Sequence, residues 1–275
     1  MKVAAIQMVS AVARATNLAR AHALLAEAAA GGAELAVLPE YFCALGARDT
    51  DKLALRETAG DGIVQRFLAD AAREFGLWIV GGTLPVDAGS PDETATHVFN
   101  SSMVWSPQGD RVARYDKIHL FFFDNGRERY DEGRTVARGD TPVVFDLPSR
   151  DGHVWRVGMS VCYDLRFPEL YRALSAQGAE LVLVPSAFTH TTGAAHWEVL
   201  LRARAIENLA WVVAPAQGGT HENGRQTWGQ SLVVDPWGAV VAQRATGEGV
   251  VLFELDAAVT AASRAQLPAL SHIVL

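Results

Sequence analysis

"GAELAVLPEYF", residues 32–42, and "GAELVLVPSAF", residues 178–188, are one pattern written twice, with the proline in the same place. An Ala- and Leu-rich helical stretch precedes each copy, 17–30 in the first case and 168–177 in the second. An apolar strand precedes each of those helices, "VAAIQM" at 3–8 and "WRVGMSV" at 155–161. The chain therefore contains two strand–helix–strand units, and the strands within each unit should run parallel.

The duplication extends outward. "SSMVWSPQGDRVARY", 101–115, resembles "QSLVVDPWGAVVAQR", 230–244. Each reads as two strands around a four-residue turn. Pro107 or Pro236 presets φ at the second turn position, and Gly109 or Gly238 relaxes the fourth. Between the landmarks each half holds a further helix and strand, 62–75 followed by "LWIVGGT" and 197–208 followed by "AWVVAPA". The halves, about 1–140 and 141–275, are approximate copies, each a mixed sheet with helices. No Pro/Gly/Ser-rich linker marks a boundary near Asp140, so residues 1–275 are expected to form one domain. Two sheets with one helix-coated face each would bury their bare faces against one another. The fold class expected is α/β, a four-layer α–β–β–α sandwich.

The bulk properties narrow the function. The 275 residues are 49% hydrophobic and 20% charged, an ordinary soluble composition with enough chain for a sizeable core. The formal net charge is −7 and no basic block occurs, so neither nucleic acid nor an anionic membrane surface is an expected partner. Two cysteines, Cys43 and Cys162, cannot make a disulfide framework and fit a reducing compartment. Gln7 interrupts the apolar start that a signal peptide would need, and no run approaches the ~18 apolar residues of a membrane span. A soluble, cytoplasmic protein is expected.

In parallel α/β sheets ligands gather beyond the carboxyl ends of the strands. That rule selects Glu40, after "LAVLP", and Cys162, after "VGMSV". Their counterparts in the repeat are Ser186 and, roughly, Met8, so the copies differ where chemistry would sit. A free cysteine is often a small core residue, and Cys43 is read that way. Cys162 differs in context, because "YDLRFPEL" follows it and Pro168 reads as a first helical residue. Backbone N–H groups at such a junction favour a thiolate and any negative charge on a substrate. A nucleophilic cysteine needs a base. His119, His190, His196 and His221 are conceivable but lie in no distinctive motif, and His196 falls at an expected helix start. Glu40 is the stronger candidate, since a carboxylate ending a buried strand is costly without a partner or a task. Lys117, in "ARYDKIHLFFF", is flanked by apolar residues; a buried ammonium there must answer a negative charge.

"LAVLPEYF" (35–42), "YDKIHLF" (115–121) and "VCYDLRFPEL" (161–170) together resemble, in order and spacing, the three motifs of the nitrilase superfamily of carbon–nitrogen hydrolases. The resemblance continues through "AHWEVLLRARAIEN" and the "VVDPWG" turn. It implies an α–β–β–α sandwich that commonly dimerises, so a homodimer or higher homo-oligomer is expected. It assigns Cys162 as nucleophile, Glu40 as general base and acid, and Lys117 as the cation beside the developing oxyanion, with the Tyr163 backbone N–H as a second donor. The family's second glutamate falls on Glu132, with Glu128 as a rival. The implied chemistry is hydrolysis of an amide through a cysteine thioester to acid plus ammonia, with no metal and no organic cofactor.

"CYDLRFPE" and the segment 185–208 look like the branch of small-acid amidases, which includes omega-amidases and deaminated-glutathione amidases; the arm "KIHLFFFDNGRERYDEG" leans toward the latter. The expected partner is a small carboxylate-bearing amide. Arg166 and Thr189 would clamp its acid end, although Arg166 has an alternative as a structural partner of Asp164 or Glu169. Arg202, Arg204 and Glu207 read as structural ion pairing along one helix. Tyr163 and Asp164 stand where typical nitrilases have tryptophan and glutamate, which disfavours nitriles. The competing readings are a nitrilase, an N-carbamoyl amino acid hydrolase, an acyl transferase to amines, and a non-catalytic binding or scaffold protein. A zinc hydrolase lacks any H-E-x-x-H or paired Cys/His spacing.

Overall fold

The computed structural model describes residues 1–89 and 96–274. The first half runs β1 (Lys2–Gln7), α1 (Arg14–Ala30), β2 (Leu35–Val37), α2 (Asp51–Ala54), α3 (Ile63–Phe75), β3 (Trp78–Val80), β4 (Leu84–Asp87), β5 (Val98–Trp105) and β6 (Arg111–Asp116). A small hairpin, β7 (Phe122–Asp124) and β8 (Arg129–Asp131), leads through a 3₁₀ turn at Glu132–Arg134 to β9 (Val136–Ala137). The second half runs β10 (Val144–Pro148), β11 (Val154–Met159), α4 (Pro168–Ala176), β12 (Leu181–Leu183), α5 (His190–Asn208), β13 (Trp211–Ala214), β14 (Ser231–Val234), β15 (Val240–Arg244), β16 (Gly249–Glu254) and α6 (Ala257–Gln266).

The duplicated sequence produces duplicated topology. β1, β2 and β3 pair in parallel and continue through antiparallel β5 to β6; β11, β12 and β13 pair in parallel and continue through antiparallel β14 to β15. Both expected turns form, with Gly109 and Gly238 donating to Ser106 and Asp235 at 2.8 and 2.9 Å. Each glycine has a left-handed φ, 81° and 89°, where a side chain would be strained. The sequence did not announce β16, which leaves the second half and pairs antiparallel with β1. It occupies the place beside β1 that β10 occupies beside β11.

Alternation along the strands builds the layers. Val3 and Ala5 of β1 share one buried cluster with Val157 and Met159 of β11 and Leu181 and Leu183 of β12, so these faces of the two sheets meet. Ala4 and Ile6, pointing the other way, pack with Ala21 and Leu25 of α1 and Leu68 and Ala71 of α3. On the second sheet α4 rests against β11 and α5 against β13. The result is the expected sandwich of helix, sheet, sheet and helix. Among the described residues no helix is long and apolar enough to cross a membrane.

Candidate active site

The carboxyl ends of β2 and β11 meet between the two sheets, and each leads into a backbone turn through the left-handed region. Tyr41, directly after Glu40, has φ 57°, and Cys162 has φ 49°. A non-glycine residue there carries local strain of about 1–2 kcal/mol, which the surroundings must hold. They do so by hydrogen bonds. The Tyr41 N–H donates to Thr83 Oγ1 at 2.9 Å, and the Cys162 N–H donates to the Pro185 carbonyl at 3.0 Å. Gly82 lies so close to the Pro39 carbonyl that a Cβ would collide with it, which lets the turn carrying Glu40 sit tight on its neighbour.

Glu40 and Lys117 are each 1% exposed, so their charges must be answered by protein. Lys117 Nζ donates to Glu40 Oε1 at 2.9 Å and to Glu132 Oε2 at 2.8 Å. Asn100 Nδ2, from β5, bridges the two carboxylates at 3.0 and 3.3 Å. Glu132 also accepts from the Tyr41 hydroxyl at 2.7 Å and the Phe121 N–H at 2.8 Å. The second oxygen of Glu40 accepts from the Ala187 N–H at 3.0 Å, on the segment that repeats Glu40's own. Burial weighs against the Lys117 charge, but Glu132 and Glu40 outweigh it and hold the ammonium pKa well above the ordinary lysine value. Burial likewise pushes Glu132 up, while Lys117, the Phe121 N–H and Lys52 pull harder and leave it below the usual carboxylate range.

Cys162 borders the same pocket and is 7% exposed. Burial first, and the adjoining Glu40 carboxylate second, raise its thiol well above the ordinary value against the opposing effects of Lys117 and the Ala187 N–H. The resting sulfur is therefore protonated beside a carboxylate. Two carboxylates around one ammonium leave this cluster with a net negative charge beside the thiol. The turn that carries Cys162 is fixed from below by Asp164. This fully buried carboxylate accepts from the Val161 N–H at 2.8 Å, the Tyr115 hydroxyl at 2.7 Å and the His119 N–H at 3.0 Å. Tyr115 and His119 flank Lys117, so Asp164 ties the segment of the ammonium to that of the thiol. Buried Arg204 adds two bonds to the Leu165 carbonyl at 3.0 and 2.8 Å, beside its ion pair with Glu207. Arg202 pairs with Glu198 instead.

The pocket is lined by all seven residues expected from the sequence: Glu40, Lys117, Glu132, Cys162, Tyr163, Arg166 and Thr189. Glu128 stands apart and accepts from Thr191. Arg166 makes no ion pair with Asp164 or Glu169; its guanidinium lies over the Tyr163 and Phe188 rings, 5.7 and 5.6 Å from their centroids, with one nitrogen 3.2 Å from His196 Nδ1. Asp164 is already filled by the donors above. Thr189 is the N-cap of α5, its hydroxyl accepting from the Thr192 N–H. That cap places the start of α5 at His190 and leaves His196 inside the helix. None of the histidines considered as a base lines the pocket. His119 Nδ1 is 2.7 Å from Asp164, and His221 bridges the Ser10 carbonyl and Thr227. The sequence reading missed Asn100 and Tyr41 as partners of the two glutamates, and Lys52 and Arg225 on the pocket wall. Among the described residues no group of three or more His, Cys, Asp or Glu side chains could hold a metal ion.

Comparison with known proteins gives a consistent result. A family model described as carbon-nitrogen hydrolase matches residues 2–265. A deaminated glutathione amidase from Synechocystis is 39% identical over 98% of this chain and 97% of its own. The human omega-amidase NIT2 is 35% identical over 97% of this chain and 92% of its own. A solved amidase from Nesterenkonia, a mutant showing Michael addition of acrylamide at its active site cysteine, superimposes with a TM-score of 0.78 at 27% identity and covers 98% of both chains.

Proposed function

We propose that this chain, which belongs to the carbon–nitrogen hydrolase family, is an amidase whose substrates are small amides bearing a carboxylate, deaminated glutathione and the omega-amides of 2-oxo acids among them. The observation that carries the reading is the convergence of Glu40, Lys117 and Cys162, distant in sequence, on one pocket floor. Glu40 takes the thiol proton as the sulfur attacks the amide carbon. The oxyanion forms between the Lys117 ammonium and the Tyr163 N–H, which has no backbone acceptor among the described residues. Glu40 passes its proton to the departing nitrogen, which leaves as ammonia from a primary amide or as an amine from a substituted one. A thioester remains on Cys162. Glu40 then deprotonates a water that attacks it, releasing the acid and restoring the thiol.

Glu132 keeps its place in this scheme by sharing Lys117, so that the ammonium does not hold Glu40 as a closed ion pair. Arg166 and Thr189 receive the carboxylate of the acyl portion, the planar guanidinium offering two parallel donors. A homodimer or higher homo-oligomer and a cytoplasmic location belong to the same proposal; two free cysteines fit a reducing compartment. The test is a side-by-side assay of product release from 2-oxo acid amides, nitriles and N-carbamoyl amino acids. Turnover of the amides at least about a hundredfold faster is expected. Preference for nitriles or carbamoyl compounds would overturn the substrate assignment.

A further inference from the structure

Lys52 and Arg225 line the same pocket as the catalytic groups. Lys52 belongs to the short α2, and Arg225 to the loop between β13 and β14. Among the described residues neither side chain has a hydrogen-bond acceptor or an ion-pair partner. Lys52 Nζ lies over the Tyr41 ring, 5.7 Å from its centroid, and the Arg225 guanidinium over Tyr130 at 5.3 Å. Both are only partly exposed. Two cations set on aromatic rings in one concave wall, with their polar ends unmet, form half of an anion site. Asp49 and Asp131 also border the pocket, but neither lies within ion-pair distance of either cation.

This wall differs from the one that holds Arg166. Arg166 rests on Tyr163 and Phe188, beyond β11 and β12, whereas Lys52 rests on Tyr41, beyond β2. A second, small cavity continues on that side and shares Tyr41, Asp49, Lys52 and Arg225 with the first. The pocket thus offers cations on two sides, with Glu40 and Cys162 bordering the same space, and the adjoining cavity is bordered by Lys52 and Arg225 but not by Arg166.

We propose that Lys52 and Arg225 form a second carboxylate site, which receives the acid group of the leaving amine, so that the preferred substrate is an amide with a carboxylate on each side of the scissile bond. The inference rests on the amidase reading above and refines it. A primary omega-amide places a carboxylate only on the acyl side, whereas deaminated glutathione ends in a carboxylate on both. Burial lowers the Lys52 pKa below the ordinary lysine value, with Lys117 and Arg225 adding to the effect and Glu132 and Asp49 opposing it; a bound carboxylate would favour the charged form.

The experiment compares kcat/KM for deaminated glutathione and for 2-oxoglutaramate in the wild-type enzyme and in Lys52→Met, Arg225→Met, Lys52→Arg and the double methionine variant. The ratio of the two kcat/KM values should fall about tenfold for each methionine, carried mainly by KM for the larger substrate. Lys52→Arg should recover much of the loss, and unchanged thermal melting checks that the variants fold. An equal decline on both substrates, or no change in the ratio, would overturn the second site. Wild-type enzyme inactive on both amides would instead overturn the amidase reading, so the two failures are distinguishable.

Discussion

Replacing Glu132 with glutamine removes one negative charge while keeping shape. Oε2 now accepts from Lys117 at 2.8 Å and from the Phe121 N–H at 2.8 Å; Oε1 accepts from Tyr41 at 2.7 Å and from Asn100 at 3.3 Å. A glutamine amide has one acceptor oxygen, so its NH₂ must face one of these donor pairs. Each buried donor left unmet costs about 1–3 kcal/mol, and breaking one side of a buried ion pair costs about 3–5 kcal/mol. Lys117 retains Glu40, so the lower end, about 3 kcal/mol, is expected. At about 2–4 °C per kcal/mol for a chain near this size, melting should fall by roughly 6–12 °C. The catalytic effect exceeds what that loss implies. Lys117, left with a single carboxylate, would draw Glu40 into a closed pair and reduce its capacity to take the Cys162 proton. Because general base catalysis contributes about 10²–10⁴-fold, kcat should fall at least about 10²-fold with KM changed little. Steady-state amide hydrolysis and a thermal melt on the same preparation measure both. Wild-type kcat in the folded variant would refute the view that Glu132 keeps Glu40 competent.

Two further predictions come from the charged and titratable groups. Burial first, and the Glu57 carboxylate second, push the Cys43 thiol up to about 12, and Cys43 is buried outside the pocket that Cys162 borders, so iodoacetamide near neutral pH should label Cys162 and spare Cys43; Glu40→Gln should slow Cys162 labelling at least about tenfold, and equal labelling of both cysteines would contradict the reading. The Glu132 pKa is depressed from 4.5, so its charge stabilises the fold above that pH and the contribution is lost as pH falls through the folded value. Lys117, raised above 10.5, contributes fully below that pH and loses its effect as pH rises through the folded value. Denaturant unfolding as a function of pH should therefore show an acid limb that flattens in Glu132→Gln; identical limbs would remove Glu132 from the account.

The elements most legible in the sequence were those that repeat. The paired "GAEL" segments announced parallel strands, and the strand-end rule then selected Glu40 and Cys162 before any geometry was known. Lys117 was legible because a lysine inside an apolar run demands an anion. Glu132 rested on family resemblance alone, since an exposed-looking "RYDEG" carries no sign that its chain folds back to β2. Asn100 was invisible for a different reason: in "FNSSMVW" polar and apolar residues mix as in many strands, and only tertiary pairing aims it at two carboxylates. The anchoring role of Asp164 was not legible, because its partners Tyr115 and His119 belong to the other half of the chain. Lys52 sits in the one-turn α2 and Arg225 in a loop, both positions where cations are usually solvated. β16 was missed because its pairing with β1 spans nearly the whole chain, a distance over which local pattern carries no information.

The central claim is a covalent acyl group on Cys162, formed with Glu40 as base. The enzyme would be quenched with acid during turnover of 2-oxoglutaramate, digested and mapped by mass spectrometry. The account predicts an acyl adduct on the peptide containing Cys162, absent from Cys162→Ala, which should also lose hydrolysis by at least about 10⁴-fold. Hydrolysis at the wild-type rate by Cys162→Ala would contradict it.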